Sequence, residues 1–257
     1  MTVQPATRAA LPKGTAKSLR RSLRVYHGDK SRQPAMDALY ARFVAPGDLA
    51  FDIGSHVGDR ISCFRRLGAR VVALEPQPGC ARAIRIIHGR DSLVTLVQAA
   101  CGKSAGEVTL KINSANPTVS TASDAFVEAA QGAGGWEGQV WDQAVIVPSV
   151  TLDALIASHG QPAFIKVDVE GFELSVLEGL TAKVPALSFE FTTIQKDVAR
   201  ACIARLCQIG DYRFNLALGE SQVLTFAEAI SADAMINHIE ALPHEANSGD
   251  VYAVLQG

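Results

Sequence analysis

The run KVDVEGFE, Lys166 to Glu173, sets Lys166, Asp168, Glu170 and Glu173 into an apolar stretch that enters as AFI and leaves as LSVLEGL. Carboxyl groups at this spacing can take a proton from a hydroxyl, orient a cationic ligand or hold a lysine. In a strand, residues i, i+2 and i+4 share a face, so Lys166, Asp168 and Glu170 point one way while Ile165 and Val167 fill the other. An unpaired charge in such a strand is costly. Lys166 is therefore expected to pair with a carboxylate, and the strand's C-terminal end to open into a cleft. Gly171 permits a tight turn, and Glu173 falls in the first turn of a helix, where negative charge suits the dipole. A purely structural ion-pair cluster is the competing reading.

A second set of residues lies at FDIGSHVGD, 51–59, where an apolar strand turns into a helix. Gly54 and Gly58 let the backbone pass close to a ligand and aim helix N–H groups at it. With His at position 56 the dinucleotide pattern GxGxxG fails, and no GKS or GKT follows a Gly-rich turn, which removes a P-loop. ALEP, 73–76, ends the next strand on Glu75, about twenty residues on, where a carboxylate can accept from both hydroxyls of a ribose. Such an acid suits any adenosine ligand.

These residues need an alternating scaffold. PAMDALYARFV reads as a helix opened by Pro34 and closed by Pro46-Gly47. Strands are expected at 49–54, 69–75 and 92–100, with helices over about Asp59 to Leu67 and Gly79 to His88 between them. EVTLKI, 107–112, suggests a further strand. Residues 113–145 break the pattern, being polar, rich in glycine (132, 134, 135, 138) and home to both tryptophans, Trp136 and Trp141. A long irregular excursion of this kind suits a substrate lid, with the tryptophans stacking on an acceptor ring and the glycines as hinges, or else a satellite core. Regularity returns with a helix at 151–160, capped by Thr151 and stopped by Gly160. AFIKVDV, a helix, ALSFEF (186–191), a helix over about 195–209, YRFNLAL (212–218) and DVYAVLQ (250–256) complete the series. Continuous apolar strands alternating with helices argue for a parallel sheet covered on both faces.

The formal net charge of −2 conceals an asymmetry: residues 1–35 hold eight basic residues and one acid, leaving +7, whereas the remainder holds 16 basic and 25 acidic residues, leaving −9. Residues 1–33 thus read as a basic, solvated N-terminal arm preceding one domain over 34–257. An arm that closes over a ligand or docks an anionic partner, and a transit peptide, are the alternatives; no apolar segment of secretory type follows the basic residues. Five scattered cysteines form no CxxC pair and suit a reducing, cytoplasmic compartment. No apolar run is long enough to span a membrane. Nothing points to nucleic acid, and oligomeric state is silent.

FDIGSHVGD, ALEP and above all FIKVDVEGFELSVLEGL resemble the FkbM family of S-adenosylmethionine-dependent methyltransferases, with TLDALI before the strand and SFEF after the helix extending the likeness over about residues 48–192. The resemblance implies an α/β, Rossmann-like class I methyltransferase fold: a seven-stranded, mostly parallel sheet with helices on both faces and one antiparallel strand near the C-terminus. It implies S-adenosyl-L-methionine as cofactor and O-methylation of a hydroxyl on a sugar, polyketide or other small metabolite. Asp52, Gly54, Ser55, His56 and Gly58 match the cofactor loop, Glu75 with Pro76 the ribose-binding turn, and Gln98, Ala99 and Ala100 the adenine wall. Asp168 matches the acid beside the methionine moiety and the acceptor. His56 departs from the Asn frequent in the family, leaving contact with the cofactor carboxylate, with the acceptor or with solvent open. Asp168, Glu170, His56 and Glu190 are the candidate catalytic groups. A magnesium-assisted route would need Asp168, Glu170 and Glu190 to converge; nothing in their spacing requires it, and no metal is expected. A dehydrogenase using Glu75 lacks GxGxxG and a Tyr-x-x-x-Lys pair, and a non-catalytic binding protein of the same fold is the remaining alternative.

Overall fold

Apolar residues that repeat without interruption in short runs, each followed by an amphipathic helix, here build a sheet with both faces covered. The structure, a computed structural model, describes residues 15–257; residues 1–14 of the basic N-terminal stretch lie outside them. In chain order the strands are β1 (Leu49–Ile53), β2 (Arg70–Leu74), β3 (Val94–Val97), β4 (Ala100–Cys101), β5 (Gly106–Ile112), β6 (Gln143–Val150), β7 (Phe164–Val167), β8 (Ala186–Thr192), β9 (Tyr212–Leu218) and β10 (Ser248–Leu255). The helices are α1 (Thr15–Leu23), α2 (Gln33–Tyr40), α3 (Asp59–Arg66), α4 (Pro78–His88), α5 (Asp124–Ala130), α6 (Leu152–His159), α7 (Glu173–Glu178), α8 (Lys196–Ile209) and α9 (Ala232–Ala241).

Seven strands form the main sheet in the order β3-β2-β1-β7-β8-β10-β9, and β10 is antiparallel to both its neighbours. This is the class I methyltransferase arrangement. Chain order reverses between β1 and β7, and open sheets of this kind bind ligands at the strand carboxyl ends beside such a reversal. β1 is buried along its whole length, as a central strand must be. Its residues alternate between two cores. Leu49, Phe51 and Ile53 join Ile165, Val167, Leu187 and Phe189 on one face, and Ala50 joins Phe164, Tyr40, Phe64 and Tyr252 on the other. Asp52 and Lys166 continue the second face toward the strand ends and pair in register. The apolar face thus becomes polar where the cleft begins.

Several expectations change. The strand expected over 92–100 stops at Val97, and Ala100–Cys101 joins a separate three-stranded sheet in the order β4-β6-β5. β6 opens inside the segment read as irregular. Its residues at 144, 146 and 148 are exposed, and Pro148 sits within it, so neither a continuous apolar run nor a Pro-free strand announced it. The same segment holds α5, N-capped by Ser123, whose hydroxyl accepts from Phe126 N at 3.0 Å. α9 was not anticipated. The basic stretch, read as a solvated arm, is helical over 15–28, α1 running into a short π-helical turn at Arg24–Gly28. It packs against α4 and the 3-10 turn at Pro117–Val119, burying Ser18 and Ser22 and half-burying Leu19, Leu23 and Tyr26, while Arg20, Arg21, Arg24 and Val25 face water. Among the described residues no helix is long and apolar enough to cross a membrane.

Candidate active site

The chamber lies over the carboxyl ends of β1, β2, β7 and β8, with a volume of about 270 Å³. Its floor begins at the β1 turn. Gly54 takes φ +85°, and a Cβ there would meet the Asp168 carbonyl oxygen at 1.7 Å. Only glycine fits, so the glycine loop and the end of β7 rest directly on one another. Gly58, at φ +84°, caps α3 and does not line the chamber. Ser55 turns its hydroxyl back to Asp52 O at 2.7 Å. Asp52 is 1% exposed with Oδ2 unpartnered, and burial raises its carboxyl to about 7 against the pull of Lys166.

Glu75 ends β2. His56 N donates to its Oε2 at 2.8 Å and Gln77 N to its Oε1 at 2.7 Å. Burial still raises the carboxyl to about 8. The carboxylate is therefore fixed by one amide from each adjacent loop, with lone pairs left for two hydroxyls. Pro76, Ala99 and Ala100 line the wall beyond it, whereas Gln98 does not; its amide oxygen accepts from Arg85 at 2.8 Å on the exposed side.

His56 sits at φ +47°, and its ring meets Tyr26 edge-on at 5.2 Å between centroids. Burial lowers its pKa, so the imidazole is neutral at neutral pH, and its Nε2 has no partner. His56 thus faces the chamber and not solvent.

At the other end, Lys166 is 2% exposed and its Nζ donates to Asp168 Oδ2 at 2.9 Å and Asp250 Oδ1 at 3.1 Å. Burial works against its charge, but the two carboxylates outweigh it and hold the ammonium well above its ordinary pKa. Asp168 is likewise opposed by burial and held below the usual range by Lys166. Glu170 follows at φ +55°, its carbonyl accepting from Thr121 Oγ1 at 2.6 Å. Gly171 is required next, since a Cβ would meet Gln195 Oε1 at 2.5 Å and Phe126 at 2.7 Å. Glu173 bends back so that Oε1 accepts from Val169 N at 3.0 Å and Gly171 N at 3.2 Å. It braces the turn and does not line the chamber. Glu190, on β8, lies opposite Asp250 in register. Glu170 and Glu190 are both driven well above the carboxylate range, first by burial and then by Asp168.

The roof comes from far away in sequence. Thr118, Val119, Ser120 and Trp136 supply one side. Trp136 packs edge-on to Phe126 at 5.2 Å and leaves its buried Nε1 unpartnered. Trp141 does not line the chamber; it packs on Phe126 and donates to Val119 O at 2.8 Å. Tyr26 forms the other side. His27 Nε2 lies 2.8 Å from Val57 O in the glycine loop, and Arg32 stacks over the Tyr26 ring at 5.6 Å and pairs with Glu220 at 2.5 Å. Arg60 joins Glu220 at 3.0 Å and Asp59 at 2.6 Å.

Tyr26, Arg60, Glu220 and Asp250 escaped the sequence reading. Only Asp250 left a signal there: an acid opening an otherwise apolar terminal strand is a natural partner for a lysine buried in another.

The arrangement can hold an adenosine ribose at Glu75 and present neutral and charged carboxyl groups to a hydroxyl near Asp168. The sequence pattern described as the methyltransferase FkbM domain matches residues 52–211, more than half the chain. No curated protein matches the sequence. Among solved structures, the precorrin-6y C5,15-methyltransferase of Geobacter metallireducens is 14% identical, with 88% of this chain and 87% of that one covered and a TM-score of 0.44. A TehB-like SAM-dependent methyltransferase from Corynebacterium glutamicum is 9% identical over 95% and 98% of the two chains, at a TM-score of 0.48. An O-methyltransferase from Bacillus cereus in complex with SAH is 11% identical over 96% and 94%, at 0.42. With the FkbM pattern spanning both the glycine loop and the KVDVEGFE turn, the chain belongs to the FkbM methyltransferase family, and S-adenosyl-L-methionine is its cofactor.

Proposed function

We propose that this protein transfers the methyl group of S-adenosyl-L-methionine to a hydroxyl oxygen of a small metabolite or saccharide. The observation that carries the reading is the placement of Asp168, Glu170 and Glu190 around one end of a chamber whose other end is the Glu75 turn. Glu75 accepts from the ribose hydroxyls. Asp52, Gly54, Ser55, Pro76, Ala99 and Ala100 enclose the rest of the cofactor.

The reaction is an in-line displacement. The acceptor oxygen forms a bond to the methyl carbon as the carbon–sulfur bond breaks, and its electron pair leaves with sulfur. Positioning alone contributes about 7–11 kcal/mol to such a step. Asp168, kept ionised by Lys166, orients the sulfonium end and the acceptor. Glu170, held protonated by burial in the empty chamber, shapes the site or, once ionised beside the bound sulfonium, accepts the hydroxyl proton, an effect of about 10²–10⁴-fold, with Glu190 and the neutral His56 lining the same end. Trp136 and the 113–145 segment cover the acceptor, and the Trp136 N–H awaits an oxygen on it. Five unbridged cysteines suit a cytoplasmic setting.

The test is methyl transfer from labelled donor to a panel of hydroxylated acceptors, preceded by thermal shift with S-adenosylhomocysteine against NAD. Saturation at 100 times Kd stabilises by about 2.7 kcal/mol. An acceptor methylated on nitrogen or carbon only would overturn the O-methylation reading, and unchanged turnover in both Asp168→Asn and Glu170→Gln would remove those acids from the mechanism.

A further inference from the structure

Four carboxyl groups, Asp168, Glu170, Glu190 and Asp250, share one buried ammonium, Lys166, which is already engaged by two of them. Asp168 gives Oδ2 to that lysine and also shares a side-chain hydrogen bond with Glu190. One oxygen each from Asp168, Glu170 and Glu190 lies within 4.8 Å of the others. Glu170 is 7% exposed, and among the described residues no hydrogen bond reaches its carboxyl group. Glu190 Oε2 is also buried without a partner. Glu170, a nine-tenths-buried carboxyl group that no donor reaches, and Glu190, with one buried oxygen unpartnered, both face Asp168 and leave a place for a cation between them.

We propose that Asp168, Glu170 and Glu190 bind a divalent cation of the Mg²⁺ or Mn²⁺ type. Three features favour an ion over a looser occupant. The donors are all hard carboxylate oxygens, the set such ions select. Their span, within 4.8 Å, is close to one coordination sphere, in which ligands on opposite sides of Mg²⁺ stand about 4.2 Å apart, so a small inward rotation of the side chains completes it. Each is also fixed by its backbone: Asp168 N donates to Ile53 O at 2.9 Å, Glu190 lies within β8, and Glu170 is held by the Thr121 bond and the Gly171 turn. The spacing in sequence gave no reason to expect this, because the third acid comes from the next strand.

Three protein oxygens leave open positions facing the chamber, where water or the acceptor oxygen can bind. An acceptor hydroxyl bound there is polarised toward its oxyanion, and Glu170 keeps a second oxygen for the departing proton. That catalytic use rests on the methyltransferase reading; binding of the ion does not.

The experiment is a titration of the full chain, stripped with chelator, with Mn²⁺ followed by electron paramagnetic resonance and calorimetry, alongside S-adenosylhomocysteine binding. One Mn²⁺ per chain is expected, weakened at least 10-fold in both Glu170→Gln and Glu190→Gln, with the homocysteine ligand still bound by each variant. Mg²⁺ is expected to displace the Mn²⁺. A chain that binds S-adenosylhomocysteine but no Mn²⁺ overturns the cation site and leaves the methyltransferase reading standing. Binding unchanged in both variants overturns it equally, as adventitious. Mn²⁺ binding lost in the variants of a chain that ignores the homocysteine ligand supports the site and removes its proposed use.

Discussion

The two ends of the chamber treat buried carboxyl groups in opposite ways. At the Glu75 end, one carboxylate receives two backbone amides, from His56 and Gln77. At the Glu170 end, acids face each other, and their amide donors go instead to Glu173 behind them. Amides pointing at a carboxylate fix its direction without supplying net charge, which suits a group that must accept from neutral ribose hydroxyls. Carboxyl groups converging without donors suit an occupant that brings charge or a proton. One end is built to read shape, the other to handle charge.

The largest test of this contrast is to remove the buried lysine at the charged end. Lys166→Met leaves the buried Asp250 and the half-buried Asp168 without their lysine and is expected to cost about 3 kcal/mol in denaturant unfolding, the lower end for a buried pair because Asp168 is partly exposed. A loss below about 1 kcal/mol would show that these acids are already neutral without the lysine. Next in size, Gly54→Ala forces a side chain against the Asp168 carbonyl at a left-handed φ. It is expected to destabilise by about 1–3 kcal/mol and to weaken S-adenosylhomocysteine binding, though it deletes no side-chain contact.

At the shape-reading end, Glu75→Gln is expected to weaken S-adenosylhomocysteine by about 1.5–3 kcal/mol, the worth of hydrogen bonds to a charged acceptor, with the melting temperature of the free protein hardly lowered. The pH dependence sharpens the point. An unfolded glutamate ionises near 4.5, and Glu75 in the empty chamber near 8. Between these values the folded state keeps a proton that the unfolded chain has lost, so the free protein loses stability as pH rises through this window. Ribose hydroxyls favour the ionised form, so the ligand's Kd is expected to fall as pH rises from 6 toward 8. Calorimetry should find that slope steeper in the parent protein than in Glu75→Gln, where Asp52, raised to about 7, still titrates beside the chamber. The smallest effect is Tyr26→Ala, which removes an edge-on ring contact of about 0.5–1.5 kcal/mol and opens the roof. Acceptor KM should rise while S-adenosylhomocysteine affinity stays within a few-fold.

What could be read from the sequence divides along the same physical line. Asp52, Gly54, Glu75 and Asp168 were visible because each sits at a fixed offset from the end of a short apolar strand, and strand ends are local events. The alternation of Ile165 and Val167 with Lys166 gave the faces correctly for the same reason. Tyr26 left no signal and Asp250 only that of an acid in an apolar strand, since nothing local says that a turn near the N-terminus and the last strand meet at one chamber. The two tryptophans show the limit most plainly. They lie five residues apart in the same loop, yet Trp136 lines the chamber while Trp141 plugs the satellite core. Only packing around Phe126 distinguishes them. β6 was hidden because its outer face is exposed and a proline interrupts it.

The contact between Gly54 and the Asp168 carbonyl has a mechanical meaning. Two loops that touch through bare backbone, with no side chain to compress between them, move as a single piece. In the proposed reaction one loop would locate the donor's methyl carbon and the other the acceptor's oxygen, so both would be measured from a common datum. On that proposal, a change confined to the Trp136 or Tyr26 wall would leave unchanged the distance over which the bond is made.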